Sequence, residues 1–342
     1  MEPIQTEDEL DELLTRPRPE LVSIIERLRS PLVILGAGGK MGPTMAVLAR
    51  RAADAAGHAL EIIAVSRFSD NAARQWLEAR GVRTLSLDLL DRDAAVSRLP
   101  DTANAIYLAG QKFGTSNDPA QTWAMNTIVP AHIVERYQRA GIVALSTGNV
   151  YPFVPAPGPG SRETDSLTPL GEYANAAVAR ERLFEFFARR NATPLVILRL
   201  NYAVELRYGV LVDIARKVYA GEPVDLTMGY FNCIWQGDAN DMILRALDLA
   251  QTPPLTLNLT GQSVLSVREV VVRFGKLLDR PAQIMGSEAP TALLSDSSLA
   301  CNLLGQPPTS LEQVIRWTAD WIKHGGRTLN KPTHFETRDG KY

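Results

Sequence analysis

The stretch PLVILGAGGKMGPTMAVLAR, residues 31–50, decides the fold. Leu32, Val33, Ile34 and Leu35 form a short apolar run, which fits a buried strand better than a surface helix. Gly36, Gly39 and Gly42 follow at G-x-x-G-x-x-G spacing, with Gly38 as an additional glycine and Lys40 and Met41 completing the turn. Pro43 then sits in the first turn of a helix expected over 41–56, where a missing N–H costs nothing. Glycine adopts backbone angles that a side chain forbids and lets a ligand approach the main chain closely. The helix start offers free N–H groups and a positive dipole end. A strand, a glycine turn and a helix in that order read as a cradle for the pyrophosphate of NADP or NAD.

The same alternation continues outward. Apolar strands are expected at 61–66, 83–87, 105–109, 142–146 and 195–200. Helices are expected between them at 71–80, 91–99, 122–140 and 173–190. Short apolar strands alternating with helices mean a parallel sheet covered on both faces, so the class is α/β. Right-handed crossovers give a doubly wound sheet in the order 3-2-1-4-5-6. Residues 1–30 precede it as a helical arm, with a Thr6–Glu9 capping box and a break at Pro17 and Pro19. Residues 31–202 form the dinucleotide-binding domain, to which a segment near 230–250 returns. Residues 203–330 form most of a smaller C-terminal substrate lobe, with helices at 210–220, 239–250, 267–278 and 311–323 around strands at 225–227 and 256–259. The proline- and glycine-rich run 151–170 is expected as a loop over the carboxyl ends of the strands, where such sheets bind ligands.

Bulk properties remove several function classes. The chain has 342 residues, 45% hydrophobic and 22% charged, with a net charge of -2. That balance argues against nucleic acid as the partner, since phosphate backbones need a basic surface. Cys233 and Cys301 lie far apart, and the four histidines have no ligand spacing, so no metal site is expected. No apolar run reaches the ~18 residues of a membrane span. The acidic N-terminus is unlike a signal peptide, so a cytoplasmic protein with free thiols is expected.

The tip of the second strand bears on the choice of cofactor. An acidic residue there would bind the adenosine ribose of NAD. Ser66 holds that place, with Arg67 next, and an arginine suits a 2'-phosphate. Lys40 could add a second positive charge. NADP is therefore favoured over NAD.

Taken with the glycine turn, several further segments resemble the extended short-chain dehydrogenase/reductase proteins, the NAD-dependent epimerase/dehydratase group, a Rossmann-type family. The likeness runs from about residue 32 to 323. SLDLLD (86–91) is similar to the adenine-contacting segment, which implies Asp88 and Leu89 as contacts. IYLAGQKFG (106–114) resembles the loop beside the cofactor, implying Ala109 and Gly110, and Asn126 matches an asparagine on the following helix. LSTGNVYPF (145–153) places the hydroxyl role on Thr147, and GEYANAAVARERLFE (171–185) places the tyrosine role on Tyr173. ILRLNYAV (197–204) is similar to an Arg-x-x-Asn stretch from Arg199. Asn149, Asn201, Tyr202 and Arg207 follow strand ends and are candidate substrate contacts, Arg207 as a clamp for a carboxylate or phosphate.

The pattern departs at one place. The family carries Tyr-x-x-x-Lys, whose lysine holds the nicotinamide ribose and lowers the tyrosine's pKa. Here Ala177 stands four residues after Tyr173. Arg180 faces the same side of the helix but a turn further along. Lys112, on the loop after the fourth strand, is the better substitute. Alternatively Tyr173 acts as a protonated donor beside Thr147, or the protein holds cofactor without turning it over. Glu163 and Asp165 in the proline-rich loop read as solvated charges. The resemblance thus implies an NAD(P)-dependent oxidoreductase or epimerase on a sugar, sugar acid or sugar nucleotide. The rival is a non-catalytic NADP-binding sensor. Phe184, Phe186 and Phe187 on the helix 173–190 suit a partner helix in a homodimer.

Overall fold

The computed structural model describes residues 3–69, 71–112, 114 and 117–341. Seven strands make one parallel sheet: β1 (Leu32–Leu35), β2 (Ile62–Ser66), β3 (Arg83–Ser86), β4 (Asn104–Tyr107), β5 (Gly141–Thr147), β6 (Leu195–Leu200) and β7 (Leu255–Leu259). Their order is 3-2-1-4-5-6-7, and every pairing is parallel. The first six follow the order expected from the alternating pattern. The seventh corrects an expectation, because the strand read as part of the small lobe pairs with β6 at the sheet edge.

Helices cover both faces. On one lie α2 (Pro19–Ile25), α3 (Gly42–Ala55) and α9 (Gln236–Arg245), whose Ile243 and Leu244 pack in one core with Leu32, Ile34 and Met45. On the other lie α5 (Arg92–Arg98), α6 (Pro119–Arg136) and α7 (Glu172–Asn191), around Val33, Leu35, Tyr107 and Phe184. A strand buried on both faces must be apolar at every position, and β1 is.

A separate apolar cluster builds the lobe, from α1 (Glu7–Leu14), α8 (Val210–Ala220), α10 (Val267–Leu278) and α12 (Leu311–Lys323). The N-terminal arm joins the two cores. Leu10 and Leu14 enter the lobe cluster, while Leu21 and Ile25 enter the sheet cluster. Its first helix carries the capping box, with the Thr6 hydroxyl accepting from the Glu9 N–H and the Glu9 carboxylate accepting from the Thr6 N–H. The loop 151–170 crosses the strand ends as expected. It is pinned by Val154–Pro155 pairing antiparallel with Thr291–Ala292.

The proposed phenylalanine face needs correction. Phe184 is buried against Tyr107, ring centroids 5.0 Å apart in an edge-on arrangement, and Phe187 packs against the same core. Phe186 alone of the three is exposed. The 3.6-residue period explains this: 184, 187 and 188 share the inward stripe, and 186 does not. Phe184→Ala should destabilise the protein by about 3–5 kcal/mol, read as a lower urea midpoint with an unchanged slope.

Candidate functional site

The glycine turn lies where the sheet's connections diverge, since β1 is flanked by β2 on one side and β4 on the other. Doubly wound sheets bind ligands at such switch points. A cleft of about 250 Å³ lies there. Its walls come from four strand ends: Gly36, Gly38 and Gly39 after β1, Ser66 to Ser69 after β2, Leu87 to Leu89 after β3, and Leu108 to Gly110 after β4.

The turn has the features of a cradle. Gly36 has φ +83°, and a Cβ on it would stand 2.6 Å from the Ala109 nitrogen. A Cβ on Gly38 would stand 2.5 Å from the Ser66 hydroxyl oxygen. At Gly42 it would run into the Ala37 carbonyl oxygen, so this glycine lets α3 pack on the turn. Gly39 is different, because the nearest neighbour to its added Cβ is the Gly36 carbonyl at 3.5 Å. Two glycines therefore serve close backbone approach, one serves helix packing, and one leaves the cleft floor open. These residues fit an adenine dinucleotide: amides at a helix start for phosphates, and apolar Leu87, Leu89 and Met125 for a flat ring.

Nine expected cofactor contacts line this one cleft: Gly36, Gly38, Gly39, Ser66, Arg67, Asp88, Leu89, Ala109 and Gly110. Met41, Gly42 and Asn126 support it from behind. Met41 caps α3. Asn126 is fully buried and donates to the Gln111 carbonyl at 3.2 Å and the Thr122 carbonyl at 2.8 Å. The sequence reading missed Phe68, Ser69, Ala73, Leu87, Leu108 and Met125 as lining residues. Phe68 has φ +48°, a conformation that no apolar pattern signals.

Lys40 does not stand with Arg67. Its Nζ lies 3.2 Å from the centre of the Tyr208 ring, on the lobe side of the turn. Burial lowers its pKa to about 7, the like charges of Lys112 and Lys331 add to the fall, and Asp213 opposes it. Burial also lowers Lys112 to about 8. The Tyr208 phenol is pushed well above its usual range by burial, with Asp213 and Tyr173 adding negative potential. Two lysines and two tyrosines thus share one neighbourhood, on the far side of the turn from Arg67.

The region between α7 and β6 is organised by a buried ion pair. Arg199 on β6 grips Glu181 on α7, with Nη2 to Oε2 at 2.8 Å and Nε to Oε1 at 3.1 Å. Glu181 also accepts from the Ser146 hydroxyl. Arg199 Nη1 donates to the Tyr151 hydroxyl at 2.7 Å, which donates to Asn258 Oδ1 at 2.8 Å. Glu163 is not the solvated loop charge it looked. Its Oε1 accepts from the Asn258 N–H at 2.8 Å and its carbonyl from Arg199, so it fastens the proline-rich loop to β7. Asp165 is exposed and accepts only from the Arg162 N–H among the described residues. Thr147 ends β5, its hydroxyl accepting from the Asn149 N–H at 3.2 Å and donating to Asn149 Oδ1 at 3.0 Å.

Two candidate substrate contacts are committed elsewhere. Arg207 meets Asp11 at 3.0 Å, Glu205 at 3.2 Å and Glu7 at 3.4 Å, so it anchors the N-terminal arm instead of clamping a ligand. Asn201 is buried and donates to Asn232 Oδ1 at 2.8 Å. Tyr202 holds φ +44°, a strained conformation for a bulky residue. Among the described residues no group of acidic, histidine or cysteine side chains could hold a metal, and no helix is long and apolar enough to cross a membrane.

A model of the NAD dependent epimerase/dehydratase family matches residues 32–229. The chain belongs to that family. Similar solved structures include a UDP-glucuronic acid 4-epimerase from Bacillus cereus in complex with NAD, with 18% identity over 86% of this chain and 98% of that one, and a TM-score of 0.71. The UDP-Glc/GlcNAc 4-epimerase of Campylobacter jejuni has 21% identity over 86% and 99%, with a TM-score of 0.70. A UDP-glucose 4-epimerase of Thermus thermophilus, in complex with NAD, has 18% identity over 86% and 99%, with a TM-score of 0.70. No curated protein sequence matches the chain. At these identities the likeness shows the fold, which the family's glycine turn and parallel sheet share.

The cradle makes a sharp prediction. Gly36→Ala forces a methyl group into the Ala109 backbone at a positive φ. The variant should lose dinucleotide binding by at least about tenfold, a loss of ~1.4 kcal/mol, measured by calorimetry.

Proposed function

We propose that the chain is an NAD(P)-dependent epimerase or oxidoreductase acting on a sugar nucleotide, sugar or sugar acid. The observation that carries this reading is the cleft at the switch point, where four strand ends converge on the glycine turn, with Lys40 over Tyr208 on the other side of that turn. The glycine turn and the α3 N-terminus hold the diphosphate, and Asp88 and Leu89 flank the adenine. NAD or NADP held there would supply the hydride chemistry, and the protein would supply position and charge. Tyr173 and Thr147 hydrogen-bond the reacting oxygen, and Lys112 supplies the cation that Ala177 cannot. The family match and the NAD complexes of similar structures support the reading. Their names, UDP-glucuronic acid 4-epimerase and UDP-Glc/GlcNAc 4-epimerase, favour that substrate class.

NADP is the preferred form in this proposal, because Arg67 stands in the cleft wall where an acidic residue would select NAD. Arg67→Ala should weaken NADP by about tenfold, the scale of one charge-assisted hydrogen bond, and leave NAD within about twofold. Equal losses for both cofactors would remove Arg67 from the selection.

Turnover is tested with NAD, NADP and a panel of sugar nucleotides, keto-sugars and sugar acids, following epimer formation and absorbance. Tyr173→Phe should abolish it. Tight cofactor binding with no turnover on the whole panel would instead make the protein a sensor. Lys112 is a cation below about pH 8 and neutral above. A role for its charge therefore predicts that kcat falls as pH rises through about 8. Lys112→Arg, whose charge does not titrate in that range, should flatten the fall.

We also propose a cytoplasmic homodimer. Cys233 and Cys301 are both buried free thiols, in keeping with a reducing compartment. Trp123 and Ile128 on α6 and Phe186 on α7 are exposed apolar groups on two helices packed together. Light scattering that returns the mass of one chain would end the dimer proposal.

A further inference from the structure

Arg180 differs from the other buried arginines near the site. Arg199 holds Glu181 with a bidentate pair, and Arg207 is ringed by three carboxylates. Arg180 is 5% exposed, yet it forms no ion pair with any described residue. Its hydrogen bonds both use Nη1, to Asn126 Oδ1 at 3.1 Å and to the Ala109 carbonyl at 3.4 Å. Its Nε is buried with no partner among the described residues. A buried cation with neither a counter-charge nor a full set of acceptors is strongly unfavourable unless something else compensates it.

Its position says what that is. Tyr173, Ala177 and Arg180 lie at i, i+4 and i+7, so they share one stripe of α7. Ala177 is sealed against Val150 and Tyr151. Arg180 lies next along the stripe, directly behind the cleft wall: a Cβ on Gly110 would stand 2.7 Å from Nη1. Ala109 and Gly110 line the cleft together with the glycine turn, Ala109 directly against Gly36. Asn126, which accepts from Arg180, also donates to the Gln111 carbonyl. The guanidinium therefore braces the segment from Ala109 to Gln111, which leads directly into Lys112.

We infer that Arg180 is a cofactor-positioning residue that takes over, one turn along α7, the place of the absent lysine: it holds the 109–112 loop against the dinucleotide, whose negative charge compensates its own. This rests on the proposed NAD(P)-binding role and adds a residue to it. The inference has a signature that a merely structural arginine lacks. Without cofactor, the charge of Arg180 opposes folding; with cofactor, it favours binding. Replacing it by an apolar chain of similar length should separate the two effects.

The test uses the full chain as wild type, Arg180→Met and Arg180→Lys. Melting temperature is read without ligand, and affinities for NAD, NADP and AMP are read by calorimetry. AMP, which lacks the nicotinamide half of the dinucleotide, serves as the control. Arg180→Met should bind NAD and NADP at least tenfold more weakly, keep AMP within twofold, and melt no lower than wild type without ligand. Arg180→Lys, which keeps the charge and loses the planar fork, should recover part of the NAD affinity. Wild-type NAD affinity in Arg180→Met overturns the inference. A lower ligand-free melting temperature, or an equal loss of AMP, does so too, since either marks a structural brace. Failure of Arg180→Met to fold is the extreme of a lower melting temperature and overturns the inference in the same way. If the wild type itself binds neither dinucleotide, the cofactor reading fails and this inference with it.

Discussion

The structure depends on one close approach, where the backbone of Gly36 meets the backbone of Ala109. The amides of Gly36 and Ala37 both donate to the Val65 carbonyl, which ties the turn to β2. The missing side chain on Gly36 lets the β4 end come against the turn from the other side. The ends of three strands are thereby fixed within one cleft, and α3 starts at its floor. A side chain at Gly36 would part β1 from the β4 loop. Cofactor site and sheet centre would be lost together, because they are the same set of backbone contacts.

Legibility in the sequence follows from how local each signal is. The glycine spacing, the apolar β1 and Pro43 in the first helical turn are local features, and they locate the cleft and its Gly36, Gly38 and Gly39; Ser66 and Arg67 follow from the tip of the second strand, and Asp88, Leu89, Ala109 and Gly110 from the family resemblance. The strand order of β1 to β6 follows from alternation and handedness. The seventh strand was misplaced because Leu255–Leu259 looks the same whether it pairs with β6 or with a lobe strand. Side-chain direction was the least legible property. Lys40 sits in the turn, yet its ammonium lies over Tyr208, far along the chain. Arg207 looked like a ligand clamp because it follows a strand end. Its three carboxylates come from Glu205 and from the N-terminal arm, read from sequence as packing alone.

The buried polar groups divide by whether their charges are matched. Glu181 and Arg199 neutralise each other and, through Tyr151, Asn258 and Glu163, join α7, β6, β7 and the proline-rich loop. Such a network fixes geometry, since each donor has its acceptor and few other arrangements satisfy all of them. Arg207 does the same for the arm. Behind the cleft wall, Arg180 forms no ion pair with any described residue, while burial lowers the pKa of Lys40 and of Lys112.

That distribution bears on what losing the family lysine at Ala177 entails. An active-site lysine does two things at once, holding a ribose and biasing a tyrosine electrostatically. Nothing requires one side chain to do both. Ala177 closes the helix face against Val150 and Tyr151, a tighter apolar contact than a lysine stem would allow. In the proposed arrangement, positive charge comes from Lys112 on the loop and from Arg180 behind the cleft wall, with Asn126 joining Arg180 to the Gln111 carbonyl. A divided arrangement is more dependent on loop order than a single lysine on a rigid helix, because Lys112 points correctly only while the loop is held. The brace beneath Gly110 is thus the part of the site on which the substitution at Ala177 places the heaviest demand.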